Sequence, residues 1–235
     1  MASAYARVFS FVRGGILVGD PVDPDYEPIR FVRLFDFGFS GYSPIRTRAL
    51  PIGGGILVSF NAFSHGYVSP ETKEERWKAE VTNTIIAPSL LVYITPPQVR
   101  IVGALGARVT SIEKVGDRIL LATDTVANLM RYNSTPIDSG DRDIISLSDE
   151  FLFRRGPPVT FIVPGTRVRD RTWGGIPLYN HEEAKAIFKL SGDNELIIKE
   201  YDLTLPSLHA EETRYELKSG KNVIDLRGFH GIVSF

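Results

Sequence analysis

The sequence predicts an all-β, mainly antiparallel fold: a β-sandwich or jelly-roll-like domain with one short helix near residues 181–190. Three observations carry this expectation. Apolar and polar residues alternate with a period of two over many short runs. Glycine and proline turn signals fall between those runs at intervals of roughly ten residues. The regular strand–helix alternation of a doubly wound sheet is missing.

The strand after Gly53-Gly54-Gly55 anchors the reading. Ile56, Val58, Phe60 and Ala62 share one face, while Leu57, Ser59, Asn61 and Phe63 make a mixed second face. A shorter copy, Gly14-Gly15-Ile16-Leu17-Val18, occurs earlier, but with no fixed repeat period. Tyr5–Arg13 and Ile29–Phe37 read as strands rich in aromatic and β-branched residues. Pro21, Pro24 and Pro28 make the linking segment Gly19–Pro28 a loop. Trp77–Ile85, Leu90–Thr95 and Gln98–Gly103 follow as strands. Arg108–Lys114 and Arg118–Thr123 flank Val115-Gly116-Asp117 as a tight hairpin.

Asp124 is placed to cap a short helix over Thr125–Tyr132. Asn133–Asp143 reads as a polar loop. Ile144–Leu147, Phe151–Phe153 and Val159–Val163 are short strands. Asn180 with Glu183 three residues on resembles a capping box, with Ala184, Ile187, Phe188 and Leu190 as the apolar face of the helix. Glu195–Leu205, Thr213–Lys218, Asn222–Leu226 and Gly231–Phe235 close the chain as strands. All 235 residues are expected to form one β-rich domain, with residues 1–28 a candidate N-terminal arm.

Composition narrows the function. Hydrophobic residues make up 43% and charged residues 23% of the chain, as in ordinary globular proteins rather than disordered ones. The formal net charge of −1 gives no reason to expect a nucleic-acid partner. There is no cysteine, which excludes a disulfide scaffold, thiolate metal sites and a cysteine nucleophile. Gln98 is the sole glutamine and prolines are plentiful, which suits a thermophilic source. The N-terminus lacks a secretory h-region and no segment is long enough to span a bilayer as a helix. A soluble chain of otherwise unknown localisation is expected.

Asp138, Asp141 and Asp143 are candidate calcium ligands because alternating carboxylates around a glycine can wrap a hard cation; a solvated turn is the favoured reading. The acids Asp20, Asp23, Asp25 and Glu27 are weighed in the same way. Gly103-Ala104-Leu105-Gly106 lacks dinucleotide-loop spacing and precedes strand formers. His65, His181, His209 and His230 are scattered and form no zinc-protease motif. No nucleophile, catalytic set or cofactor site is identified. Arg167, Arg169 and Arg171 alternate along one strand face as candidate subunit contacts, with a solvated, charge-protected edge as the competing reading.

The function expected is that of a structural, self-assembling protein. Its most concrete form is a capsid, virion or surface-assembly subunit, a step that rests on fold analogy. One alternative is a non-catalytic module binding carbohydrate or another ligand through Trp77, Trp173 and tyrosines. The other is a cupin-like metal enzyme using the scattered histidines.

Overall fold

The computed structural model describes residues 1–37, 42–44, 48–62, 88–124, 142–163, 165, 172–205 and 210–235. The molecule is all-β, its strands paired antiparallel throughout. The first sheet comprises β1 (Ala2–Ala4), β2 (Arg7–Val12), β3 (Gly15–Gly19) and β4 (Arg30–Arg33). The second is built from β5 (Tyr42–Ser43), β6 (Leu50–Ile52), β7 (Gly55–Ala62), β8 (Ser89–Thr95) and β9 (Gln98–Leu105). The third holds β10 (Arg108–Val115), β11 (Arg118–Asp124) and β12 (Arg142–Ser148). In these sheets hairpin neighbours follow one another in sequence, except that β5 and β6 both pair with β7, so the sheets are essentially meanders. The Greek-key crossovers of a jelly roll do not occur among these strands, and the sandwich is the part of the expectation that the molecule realises.

The C-terminal part is ordered differently. β13 (Gly174–Pro177), β18 (Ile232–Ser234), β15 (Asn194–Tyr201) and β16 (Ala210–Leu217) form the fourth sheet in that spatial order. β14 (Lys185–Leu190) and β17 (Gly220–Asp225) form the fifth.

Burial explains the layering. β7 and β8 are buried on both faces. Ile56, Val58, Phe60, Leu90, Val92 and Ile94 join Phe9, Ile16, Val18 and Val32 of the first sheet in the largest core cluster. Phe11 and Phe60 meet edge to face across it at 6.4 Å. Leu57, Leu91 and Tyr93 on the other face join Val109, Ile112, Ile119 and Leu121 of the third sheet in a second cluster. The second sheet is thus a shared middle layer. A third cluster, with Leu196, Ile198, Leu217, Leu226 and Val233, fills the space between the fourth and fifth sheets.

The mixed face expected for β7 is buried as well. Its polar residues are satisfied there: Asn61 Nδ2 donates to Val109 O at 2.8 Å, and Val109 N–H donates to Asn61 Oδ1 at 2.9 Å. Val109 lies where the β10–β11 register shifts, so the amide of Asn61 takes up backbone groups beside a bulge.

The two Gly-Gly-Ile-Leu-Val stretches occupy equivalent places in successive sheets. Val12 pairs with Gly15, and Ile52 with Gly55, across two-residue turns. In each sheet an aromatic ring of the next strand lies over the first glycine of the strand. A Cβ on Gly15 would sit 2.5 Å or less from the Phe31 ring, and one on Gly55 would sit 2.6 Å from Tyr93. Phe31 is opposite Leu17 as Tyr93 is opposite Leu57. Val115 and Arg118 close a third such turn.

Several local expectations are corrected. The helix near 181–190 is strand β14, paired with β17 from Lys185↔Asp225 to Leu190↔Gly220. Asn180, expected as its N-cap, has φ +70, outside the extended region typical of an N-cap. Ala186, Phe188 and Leu190 face the third cluster, and burying them by strand pairing outweighs a short helix with a costly nucleus. Phe151–Phe153 belongs to a 3-10 turn, Asp149–Phe153, capped by Ser148. The strand expected over Tyr5–Arg13 begins only at Arg7, because Tyr5-Ala6 is the turn that joins β1 to β2. The helix at Thr125–Tyr132 and the strand at Trp77–Ile85 lie outside the described residues.

Candidate functional site

A cleft of about 360 Å³ opens where the β8–β9 turn meets the fourth sheet. Three segments bring its polar groups together. Gln98 follows the Pro96-Pro97 turn; Glu200 and Asp202 stand at the end of β15; His230 lies just before β18. Tyr179 and Glu211 also line it. Leu203 N–H donates to Pro97 O at 3.0 Å and ties β15's exit to the turn.

The carboxylates are held by donors. Glu200 Oε1 accepts the His230 and Gly231 N–H groups at 2.7 and 2.6 Å. A Cβ on Gly231 would lie 2.6 Å from Tyr201 O, so only glycine lets this turn close on Glu200. Asp202 Oδ1 accepts Thr204 N–H at 2.8 Å. Glu200 and Glu211 are opposite each other in the β15–β16 register, a like-charge pair that strand pairing alone does not favour. Tyr201 is turned away from these acids: its hydroxyl donates to Arg33 O and meets Ser234 Oγ at 2.9 Å. Burial pushes its pKa up to about 12.

A second feature is a set of open sheet faces. On the outside of the first sheet Phe31 is 43% exposed opposite Leu17, and Ile29 is 64% exposed beside it. On the outside of the third sheet Ile144, opposite Ala122, is 66% exposed, and Val115 is half exposed. Ile187 and Val223 make a similar exposed pair on the fifth sheet.

The residues singled out from sequence are only partly brought together. Arg167, Arg169, Arg171, Asp138 and Asp141 lie outside the described residues, as do His65, His209 and Trp77. Asp143 is exposed on β12 and accepts the Ile144 N–H at 2.7 Å. Asp20 accepts the Val22 and Asp23 N–H groups, which hold its pKa below the ordinary value. Glu27, expected in a solvated turn, is instead buried against Arg7, with Arg30 Nη2 at 3.6 Å. Among the described residues no group of three or more His, Asp or Glu converges on a metal position. His181 packs at Gly156, and burial, then the Arg155 charge, pushes its pKa down. Trp173 is part of the core edge, 4.9 Å from Phe235 and 6.2 Å from Phe37, rather than an exposed platform.

The cleft residues Tyr179, Glu200, Asp202 and Glu211 were not apparent from sequence. Their signal is spatial, since it depends on the β15–β16 register. Gln98 stood out only as the sole glutamine.

A family model described as "Uncharacterized protein conserved in archaea (DUF2139)" matches residues 1–132. The chain belongs to this family. The DUF2139 match takes in the first and second sheets together with β10 and β11. Within the cleft it includes Gln98, whereas Tyr179, Glu200, Asp202, Glu211 and His230 lie beyond it. None of the curated proteins and none of the solved structures compared with this DUF2139 chain matches it. No helix among its described residues is long and apolar enough to cross a membrane.

Proposed function

We propose that this protein is a structural, self-associating β-sandwich subunit that assembles through the open faces of its outer sheets. The observation that carries this reading is the placement of large apolar side chains on those faces: Ile29 and Phe31 on one, Ile144 and Val115 on the other. Burying one such side chain is worth about 1.5–3 kcal/mol, and Ile29 with Phe31, two residues apart at one sheet edge, is the more compact of the two patches. Two different open faces suit heterologous contacts, which propagate into rings or layers. The row Arg167, Arg169 and Arg171 is a further proposed subunit contact, through bidentate pairing with carboxylates. Of the concrete forms, a surface assembly suits a family conserved in archaea more directly than a virion does. The chain is taken to act as one domain, because the largest core cluster draws side chains from Ala2 to Ile232.

Light scattering with electron microscopy of the purified protein tests the proposal. A mass well above that of the monomer is expected, with a regular ring, layer or filament. Phe31→Asp and Ile144→Asp, each checked for unchanged far-ultraviolet circular dichroism, are expected to lower that mass. A wild-type chain that stays monomeric at high concentration overturns the proposal.

A further inference from the structure

The cleft between the β8–β9 turn and the fourth sheet lies apart from the open sheet faces proposed for self-association. Its chemistry is mixed. Tyr179 supplies an aromatic surface, Gln98 an amide, His230 an imidazole, and Glu200, Asp202 and Glu211 carboxylate acceptors. A volume of about 360 Å³ lies at the small end of ligand pockets.

We infer that this cleft binds a small neutral polyhydroxylated ligand, of mono- or disaccharide size. Two observations favour it over a cation. Glu200 and Asp202 each have one oxygen engaged by backbone N–H donors, which stabilise the charge and fix the carboxylate plane. The remaining oxygens are pre-oriented acceptors, the group that a ligand hydroxyl needs. In addition, no three acids or histidines among the described residues converge on a single ion position. A hydroxyl-bearing ligand satisfies separate acceptors around a wall, whereas a metal ion requires them at one point. Tyr179, Gln98 and His230 line the same cleft, and an aromatic ring, an amide and an imidazole are the groups that complement the C–H face and hydroxyls of a sugar.

The test is isothermal titration of the full chain with glucose, galactose, mannose and trehalose, and separately with spermidine and calcium chloride. Saturable binding of at least one sugar is expected, with no saturable binding of spermidine or calcium. Tyr179→Ala and Glu211→Gln are each expected to weaken it about tenfold or more. Tyr179→Phe, which keeps the ring, is expected to retain most of the affinity, and thermal melts check that all three variants fold. Binding of spermidine or calcium in place of sugars would overturn the inference. So would binding of none of the probes, or sugar binding unaffected by Tyr179→Ala and Glu211→Gln.

Discussion

Asn61 shows how one side chain can join two layers. It projects from β7 into the second core cluster's side of the middle sheet, a poor place for an amide unless every polar atom is engaged. Its oxygen and nitrogen both bond the backbone of Val109, so the amide acts as one residue of an extra strand across the layer gap. Asn61→Ala removes the partner of two buried backbone groups at once. The expected loss is about 2–4 kcal/mol, read from urea or guanidinium denaturation. Asn61→Asp keeps an acceptor for Val109 N–H but leaves Val109 O without its donor, and it buries a charge besides. It is expected to be no better than the alanine variant; a neutral outcome for either would mean that the amide is not what joins these layers. Glu27 is a second such residue, buried between Arg7 and Arg30 where it fastens the proline-rich loop to the first sheet. Nothing in its local sequence, an acid beside a proline, distinguishes it from the solvated acids Asp20 and Asp23.

At the scale of elements, strand β14 tests what decides between two periods. Lys185–Leu190 carries apolar residues at both helical and strand spacing. In a helix Ile187 and Phe188 would share the buried face; in β14 they point to opposite sides, Ile187 exposed and Phe188 packed toward Phe235 at 5.7 Å. Phe188 is only partly buried, so Phe188→Ala is expected to cost about 1–3 kcal/mol, while Ile187→Thr costs under about 0.5 kcal/mol, measured by the same denaturation. Comparable losses at both positions would contradict the strand assignment. Most strands were legible because their alternation is clean and their turns are two-residue glycine hairpins, as at Gly53-Gly54 and Gly116-Asp117. β14 was not legible, because its partner β17 lies some thirty residues downstream and only pairing with it brings Phe188 against the third cluster. The cleft was hidden for the same reason. Glu200 and Glu211 are unremarkable acids until the β15–β16 register sets them opposite each other.

At the scale of the whole molecule, the matched region 1–132 and the folded unit do not coincide. The largest cluster takes Phe9, Ile16, Ile56 and Leu90 from inside that region and Leu203 and Ile232 from beyond it. Phe161 packs on the same core, its ring 5.2 Å from Phe37 and 6.1 Å from Phe35. The third sheet also crosses the boundary, since β12 pairs with β11 along its whole length from Arg118↔Ser148 to Asp124↔Arg142. A fragment of residues 1–132 would leave β11 with an unpaired edge and the aromatic cluster around Phe35, Phe37 and Tyr42 open to water. Such an edge is a template for aggregation, and such a core lacks the burial that offsets chain entropy. The fragment is thus expected to be aggregated or to show a circular dichroism spectrum without a cooperative melt. The full chain is expected to unfold in one transition that coincides by circular dichroism and tryptophan fluorescence. A fragment that melts cooperatively on its own would mean that residues 133–235 are an attachment to the family's fold rather than part of its core.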